Sequence, residues 1–247
     1  TVDGANQAVI NFQILRDGVP LDLFNLDADL AAPGRWPDFY LAYALPQDGI
    51  ATPAEYNNLG RSDAQPITVD IDQLGPNNNN DGTMVDNGDG TFTATTGGTT
   101  FPTGAFPAGA TLRGVGLANY FQVDTDGDGD SDYSLHTPSA VVAVTGDDAR
   151  REVVDSNSCA SCHEWFEGHG GNRVFNMNIC VFCHNPNLSS SGRRIDPADA
   201  SAAVVAAYGP DPLLYPEATN NFKDMIHGIH GAEERTTDYE FVRDRLN

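Results

Sequence analysis

CASCH, from Cys159 to His163, and CVFCH, from Cys180 to His184, are the two stretches that decide how this chain is built. A Cys-x-x-Cys-His run is the attachment signature of a c-type haem. The two thiols add across the porphyrin vinyl groups, and the adjacent histidine is placed to reach the iron as proximal ligand. Cys159, Cys162, Cys180 and Cys183 are all the cysteines the chain has. Two covalent c-type haems are therefore expected, with His163 and His184 as proximal ligands.

Two other readings of the cysteines are open to test. Between Cys162 and Cys180 lie 17 residues, a spacing that also fits a four-thiolate zinc site. An even count also permits two disulfides. Neither explains a histidine directly after each cysteine pair.

Three more histidines lie nearby: His169 in HEWFEGHGG, and His227 and His230 in MIHGIH. A low-spin haem needs a second axial ligand. His169 is too close in sequence to His163 to pass easily to the far face of the same haem. It is assigned to the haem held by Cys180 and Cys183, which leaves His227 or His230 for the haem held by Cys159 and Cys162. Met177 and Met225 are sulfur donors that compete with histidine, but are read as packing residues. The sixth histidine, His136, is read as a surface residue.

Outward from these motifs the chain changes character near residue 148. Residues 1–148 contain no cysteine. They hold short alternating or β-rich runs at 8–14, 38–45, 67–71, 91–95, 111–123 and 140–144, separated by Gly, Pro, Asn and Asp clusters. This pattern predicts an antiparallel sandwich or small barrel. Residues 75–90 are read as a polar turn region ending in a tight reversal at DNGDG. Residues 149–247 are expected to form a small irregular or α-helical dihaem domain. One helix is predicted over IDPADASAAVVAAYG, with Asp196 as N-cap, Pro197 in the first turn and Gly209 as terminator. A second is predicted over NFKDMIHGIH, capped by Thr219 or Asn220, with His227 and His230 on one face.

The formal net charge is −22, from 35 acidic and 13 basic side chains. Such a surface repels nucleic acid and anionic membrane, and both are excluded as partners. No apolar run of about 18 residues is present, so no membrane span is expected. Thr1 is not an initiator methionine, as expected for a processed, exported chain.

The order CASCHEWFEGHGGNR, CVFCHNPN, FKDMIHGIHG resembles the outer-surface multihaem cytochromes of metal-respiring bacteria, the OmcA/MtrC family. DNGDGTFTAT and TLRGVGL resemble the β-domain that precedes a haem cluster there. The resemblance implies a β-sandwich or split barrel of Greek-key type packed on a haem domain, with both haems bound by two histidines. In the family pattern His163 and His184 match proximal positions, and His169, His227 and His230 match distal ones. It also implies a cell-surface or extracellular location, with the periplasm second. Expected partners are other multihaem cytochromes, copies of this chain, metal oxides and flavins. Family members usually carry more haem motifs in two β-plus-haem halves. The chain is then a fragment, or a subunit that completes a haem chain or filament by assembly and lends its spare histidine across a subunit boundary.

A second metal site is suggested by DTDGDGDSD, which sets Asp124, Asp126, Asp128, Asp130 and Asp132 at alternate positions. Carboxylates at that density suit calcium. Leu135 stands where an EF-hand needs glutamate, so a calcium-stapled loop is expected rather than an EF-hand. The leading function class is electron transfer. The alternatives are a haem-dependent reductase or peroxidase with an open iron site, and a structural or adhesion module.

Overall fold

A computed structural model describes residues 1–31, 36–61, 64–75, 78–97, 104–188, 201–211, 214 and 220–236. The architecture is mainly β, with antiparallel strand pairing and a small helical region. One sheet has the order β1-β7-β6, from Val9–Phe12, Phe92–Thr96 and Gly82–Asp86. The other has the order β11-β8-β4-β5, from Ala140–Ala143, Thr111–Ala118, Asp38–Ala44 and Ile67–Asp70. The sheets share no strand and face each other across one apolar core, so the alternative of sandwich or barrel resolves as a sandwich. Phe39, Leu41 and Tyr43 enter the core from β4, Phe92 and Ala94 from β7, and Met84 from β6.

Strand β4, DFYLAYA, is buried along nearly its whole length rather than on alternate residues. Its odd-numbered side chains fill the sandwich core. Tyr40 and Ala42, on the other face, join a second apolar cluster with Tyr56, Ala118, Ile179, Val181 and Phe182. A strand buried on both faces loses polar alternation, and here the second layer is a helix from the cysteine-bearing half.

The predicted strand at 111–123 is two strands. Asn119 takes a left-handed φ of 77° and separates β8 from β9, Phe121–Val123. β9 pairs with β10, Tyr133–Leu135. The region 75–90 is not all turn: β6 occupies its second part, and the reversal is confined to Asn87–Thr91, where the Asn87 amide donates to the Thr91 carbonyl at 3.0 Å. β6 is short, and only Gly82 and Met84 of its five residues are buried. A hairpin of β2 and β3, Leu15–Arg16 and Val19–Pro20, and the short α1, Ala28–Ala31, also lie in this half.

Further α-helices among the described residues are α2, Ser156–His163; α3, Met177–Cys183; α4, Ala202–Tyr208; and α5, Phe222–His230. β12, Glu167–Gly168, and β13, Arg173–Val174, form a small hairpin between α2 and α3. Two helix starts differ from expectation. Asp196 and Pro197 lie outside the described residues, and the helix described there begins at Ala202, with the Ser201 hydroxyl accepting from the Val204 amide. Gly209 ends it with a φ of 90°. For α5 the cap is Asn221, one residue beyond Asn220, and its side chain accepts from the Asp224 amide at 3.0 Å. Thr219 lies outside the described residues.

Candidate functional site

Both cysteine motifs fall on short helices, which the sequence did not mark individually. Asp155 caps α2 by accepting from the Asn157 amide at 2.9 Å, and Asn176 caps α3 by accepting from the Asn178 amide at 3.0 Å. On α2 the spacing of three and four residues puts Cys159, Cys162 and His163 on one face. On α3 Cys180 and Cys183 lie one turn apart, and His184 is the residue that ends the helix. The first residues of the two helices are joined directly: the Met177 amide donates to the Ser156 hydroxyl at 3.0 Å.

Helix α3 is seated on the outer face of the four-stranded sheet. The seat exists because β8 carries glycine at two successive outward positions. A Cβ on Gly114 would come within 2.3 Å of the Tyr56 hydroxyl, and one on Gly116 within 2.3 Å of Ile179 Cδ1. Into this trough go Ile179 and Phe182, both fully buried. Burying two such side chains contributes about 3–6 kcal/mol.

The carboxyl end of α3 is held by a buried amide network. Asn58 Nδ2 donates to the carbonyls of Phe182 and Ala64 at 2.7 and 2.8 Å, and its Oδ1 accepts from the Tyr43 amide at 3.1 Å. Asn185 donates to the Ala64 and Phe182 carbonyls, and Asn187 to Gln47 and the Asn57 carbonyl. Helix carbonyls that lack an in-helix partner are thus satisfied from the sandwich. These asparagines were not singled out from the sequence, where they resemble ordinary turn residues. The HNPN run after Cys183 was the signal for Asn185 and Asn187.

The histidines form two ring pairs. His163, on α2, lies 6.0 Å centroid to centroid from His230 on α5. His184, after α3, lies 6.1 Å from His169 in the FEGHGG loop. Two imidazoles bound to one metal from opposite sides, with bonds of about 2 Å, stand with centroids about 6 Å apart. His184 Nδ1 lies 2.9 Å from the Asn220 carbonyl, and His230 Nδ1 lies 2.9 Å from the Ile226 carbonyl. A carbonyl at that place makes Nδ1 the protonated nitrogen and Nε2 the one able to ligate a metal. His227 is exposed and belongs to neither pair. His169 has a left-handed φ of 58°, rare for a residue with a Cβ. His136 is exposed but engaged: Nδ1 lies 2.9 Å from the Gly171 carbonyl and the ring lies 4.8 Å from that of Tyr120. A Cβ on Gly171 would meet the His136 ring at 2.3 Å, so the second glycine of HGG is needed for this contact.

The rest of the site suits a large apolar cofactor. α2 and α5 contain no buried residue. Large apolar side chains around them are exposed: Val153 at 60%, Trp165 at 49% and Ile229 at 62%. The four cysteines form no disulfide. Among the described residues no three cysteine sulfurs converge within 4.8 Å, as a four-thiolate zinc site requires. Burial pushes the Cys180 thiol up to about 12, with Cys183 adding and Arg173 opposing. Burial also raises Cys183. A thioether is uncharged, so this apolar setting suits it as it does not suit a thiolate.

Residues 151–245 match the family described as outer membrane cytochrome MtrC/MtrF-like, domains II/IV. Over these residues the chain is similar to that cytochrome family. No curated protein matches the chain. That family implies c-type haem as cofactor, in keeping with the two CxxCH motifs in the matched residues. None of the chain's described helices is long and apolar enough to cross a membrane.

In the acidic loop, carboxylate oxygens of Asp124, Asp126 and Asp128 lie within 4.8 Å of one another. Asp124 is buried and accepts from the amides of Gly129 and Gly127 at 2.9 and 2.6 Å, which hold its carboxyl below the usual range. Asp132 instead accepts from the amide and hydroxyl of Thr125. Asp130 follows in the turn, its amide donating to Asp128 at 2.8 Å. Three of the five expected carboxylates are therefore brought together.

Proposed function

We propose that this protein is a dihaem electron carrier of the outer cell surface, each haem bound by two histidines. Cys159, Cys162 and His163 would hold one haem, with His230 on its far side. Cys180, Cys183 and His184 would hold the other, with His169 opposite. The observation that carries this reading is the pair of ring separations, 6.0 and 6.1 Å, each within reach of a separate CxxCH motif. The haem supplies one-electron chemistry. The chain supplies fixed ligands, exclusion of water by α3 and the sheet, and close spacing of the two sites through the Ser156–Met177 bond.

An imidazole on each side would leave no coordination position for a substrate, which favours a carrier over a haem-dependent reductase. Residues 1–148 serve as the platform domain and 149–247 as the dihaem domain. Electrons pass toward other multihaem cytochromes, further copies of the chain, or acceptors such as metal oxides and flavins. His227 is left to ligate a haem outside the two pairs, in a longer protein or a neighbouring subunit. Asp124, Asp126 and Asp128 form a structural calcium site.

Intact mass together with optical and electron paramagnetic resonance spectra tests the central reading. Two added haem masses and wholly low-spin ferric signals are expected. An apo mass, or a high-spin signal from the unmodified protein, would overturn it.

A further inference from the structure

A polar network runs from the edge of the sandwich to the cysteine helix α3. Asp38 opens β4, its Cα opposite Asp70 of β5 and Ala118 of β8. Its Oδ2 accepts from the Tyr40 hydroxyl at 3.0 Å and from the side-chain amide of Asn119. That amide also reaches the Tyr40 hydroxyl, at 3.1 Å. Asn119 Oδ1 accepts from Arg173 Nη1 at 3.0 Å, and the Arg173 guanidinium lies 4.2 Å from the centroid of the Tyr40 ring. Tyr40 packs in one cluster with Ile179, Phe182 and Cys180. A titratable carboxyl and a fixed cation therefore stand behind one of the two cysteine motifs.

We propose that Asp38 and Arg173 are positioning residues that set the reduction potential of the haem held by Cys180 and Cys183, and that Asp38 couples its reduction to uptake of one proton. The inference rests on the dihaem reading above. Arg173, from β13, favours the extra electron by its charge. Asp38 opposes it when ionised and ceases to oppose it when protonated. As one electron arrives from a donor cytochrome, the Asp38 carboxylate takes one proton from solvent, and the net charge of the site is unchanged.

Among the described residues, the charged or titratable groups facing Asp38 are Asp70 from β5, Arg173 from β13 and Tyr40 from its own strand. Burial lifts the Asp38 carboxyl to about 6; Asp70 adds to the rise, while Tyr40, Asn119 and Arg173 oppose it. The Tyr40 phenol is pushed well up by burial, so it stays protonated and acts as a donor only. Asp38 is thus the member of the network that changes charge near neutral pH. The potential of this haem should fall as pH rises through that region.

The test is a spectroelectrochemical titration of the haem-loaded protein from about pH 4.5 to about pH 8.5. One of the two one-electron waves should lose electron affinity across this range by threefold or more, tenfold being about 59 mV. Asp38→Asn should hold that wave flat at its acid-side level. Asp70→Asn should keep the dependence and move it to lower pH. Arg173→Gln should lower the wave and move its dependence to higher pH. His169→Met, which alters the ligand proposed for the same haem, should move this wave and not the other. Two pH-independent waves in the unmodified protein, or an unchanged slope in Asp38→Asn, would overturn the inference. If Asp38→Asn fails to fold, an unmoved dependence in Asp70→Asn would do the same. A sample with no Soret band would overturn the dihaem reading and this inference with it.

Discussion

The Met177 amide donates to the Ser156 hydroxyl at 3.0 Å, so the first residue of each cysteine helix is bonded to the first residue of the other. This contact brings the two motifs together across 20 residues of intervening chain. It leaves the Met177 amide with a partner where a helix start ordinarily lacks one. Ser156→Ala should destabilise the protein by about 1 kcal/mol. Thermal unfolding measures this, and an unchanged midpoint would show the contact to be dispensable.

Gly116→Ala should be more damaging. The new methyl would lie 2.3 Å from Ile179 Cδ1, so the buried Ile179 side chain must leave its rotamer or α3 must shift in its trough. Overpacking of this kind costs about 1–3 kcal/mol. Shortening the clashing side chain in Gly116→Ala/Ile179→Val should restore part of the loss, measured by thermal unfolding. No rescue in the double variant would argue against the trough.

The two ring pairs separate the histidine variants. His230→Ala and His169→Ala should each convert one haem to a high-spin signal, and together both. His227→Ala should leave the optical spectrum low-spin. A high-spin signal in His227→Ala would reverse the roles of the two α5 histidines.

Two carboxylates of the sandwich should respond to acid in opposite directions. The Arg113 guanidinium beside Asp147, with an oxygen at 2.7 Å, holds the Asp147 carboxyl below the usual carboxylate range. A lowered native value contributes stability above the unfolded value and loses it as pH falls through the native one. Asp147→Asn should therefore destabilise at neutral pH, with the difference vanishing in strong acid. Asp38, lifted to about 6, has the reverse sign. Its contribution is present at low pH and is lost as pH rises through about 6. Asp38→Asn should accordingly gain on the unmodified protein as pH rises. Denaturant midpoints measured across pH check both.

Removing calcium with a chelator should lower the unfolding temperature through Asp124, Asp126 and Asp128, whose oxygens gather within 4.8 Å. Asp124→Asn should abolish the response. An unfolding temperature indifferent to both calcium and chelator would leave the loop a solvated acidic turn.

What could be read in the sequence followed the strength of its local signals. The six β-rich runs all contain strands because alternation with turn residues survives tertiary packing. β6 was hidden because GTMVD offers only Met84 as a large buried side chain amid asparagine and aspartate. The break at Asn119 was hidden because TLRGVGLANYFQV is apolar on both sides of a left-handed residue. SNSCASCH shows no helical periodicity because none of its residues is buried against protein. The CxxCH motifs point to the proposed chemistry, whereas the seat of α3 did not announce itself. GVG and NN acquire meaning only when strand and helix are seen to touch.

Strand β4 serves two clients at once. Its Phe39, Leu41 and Tyr43 side answers to the sandwich, and its Tyr40 and Ala42 side to the helix that presents CVFCH. A lesion that collapses the sandwich therefore also removes the floor under a cofactor motif.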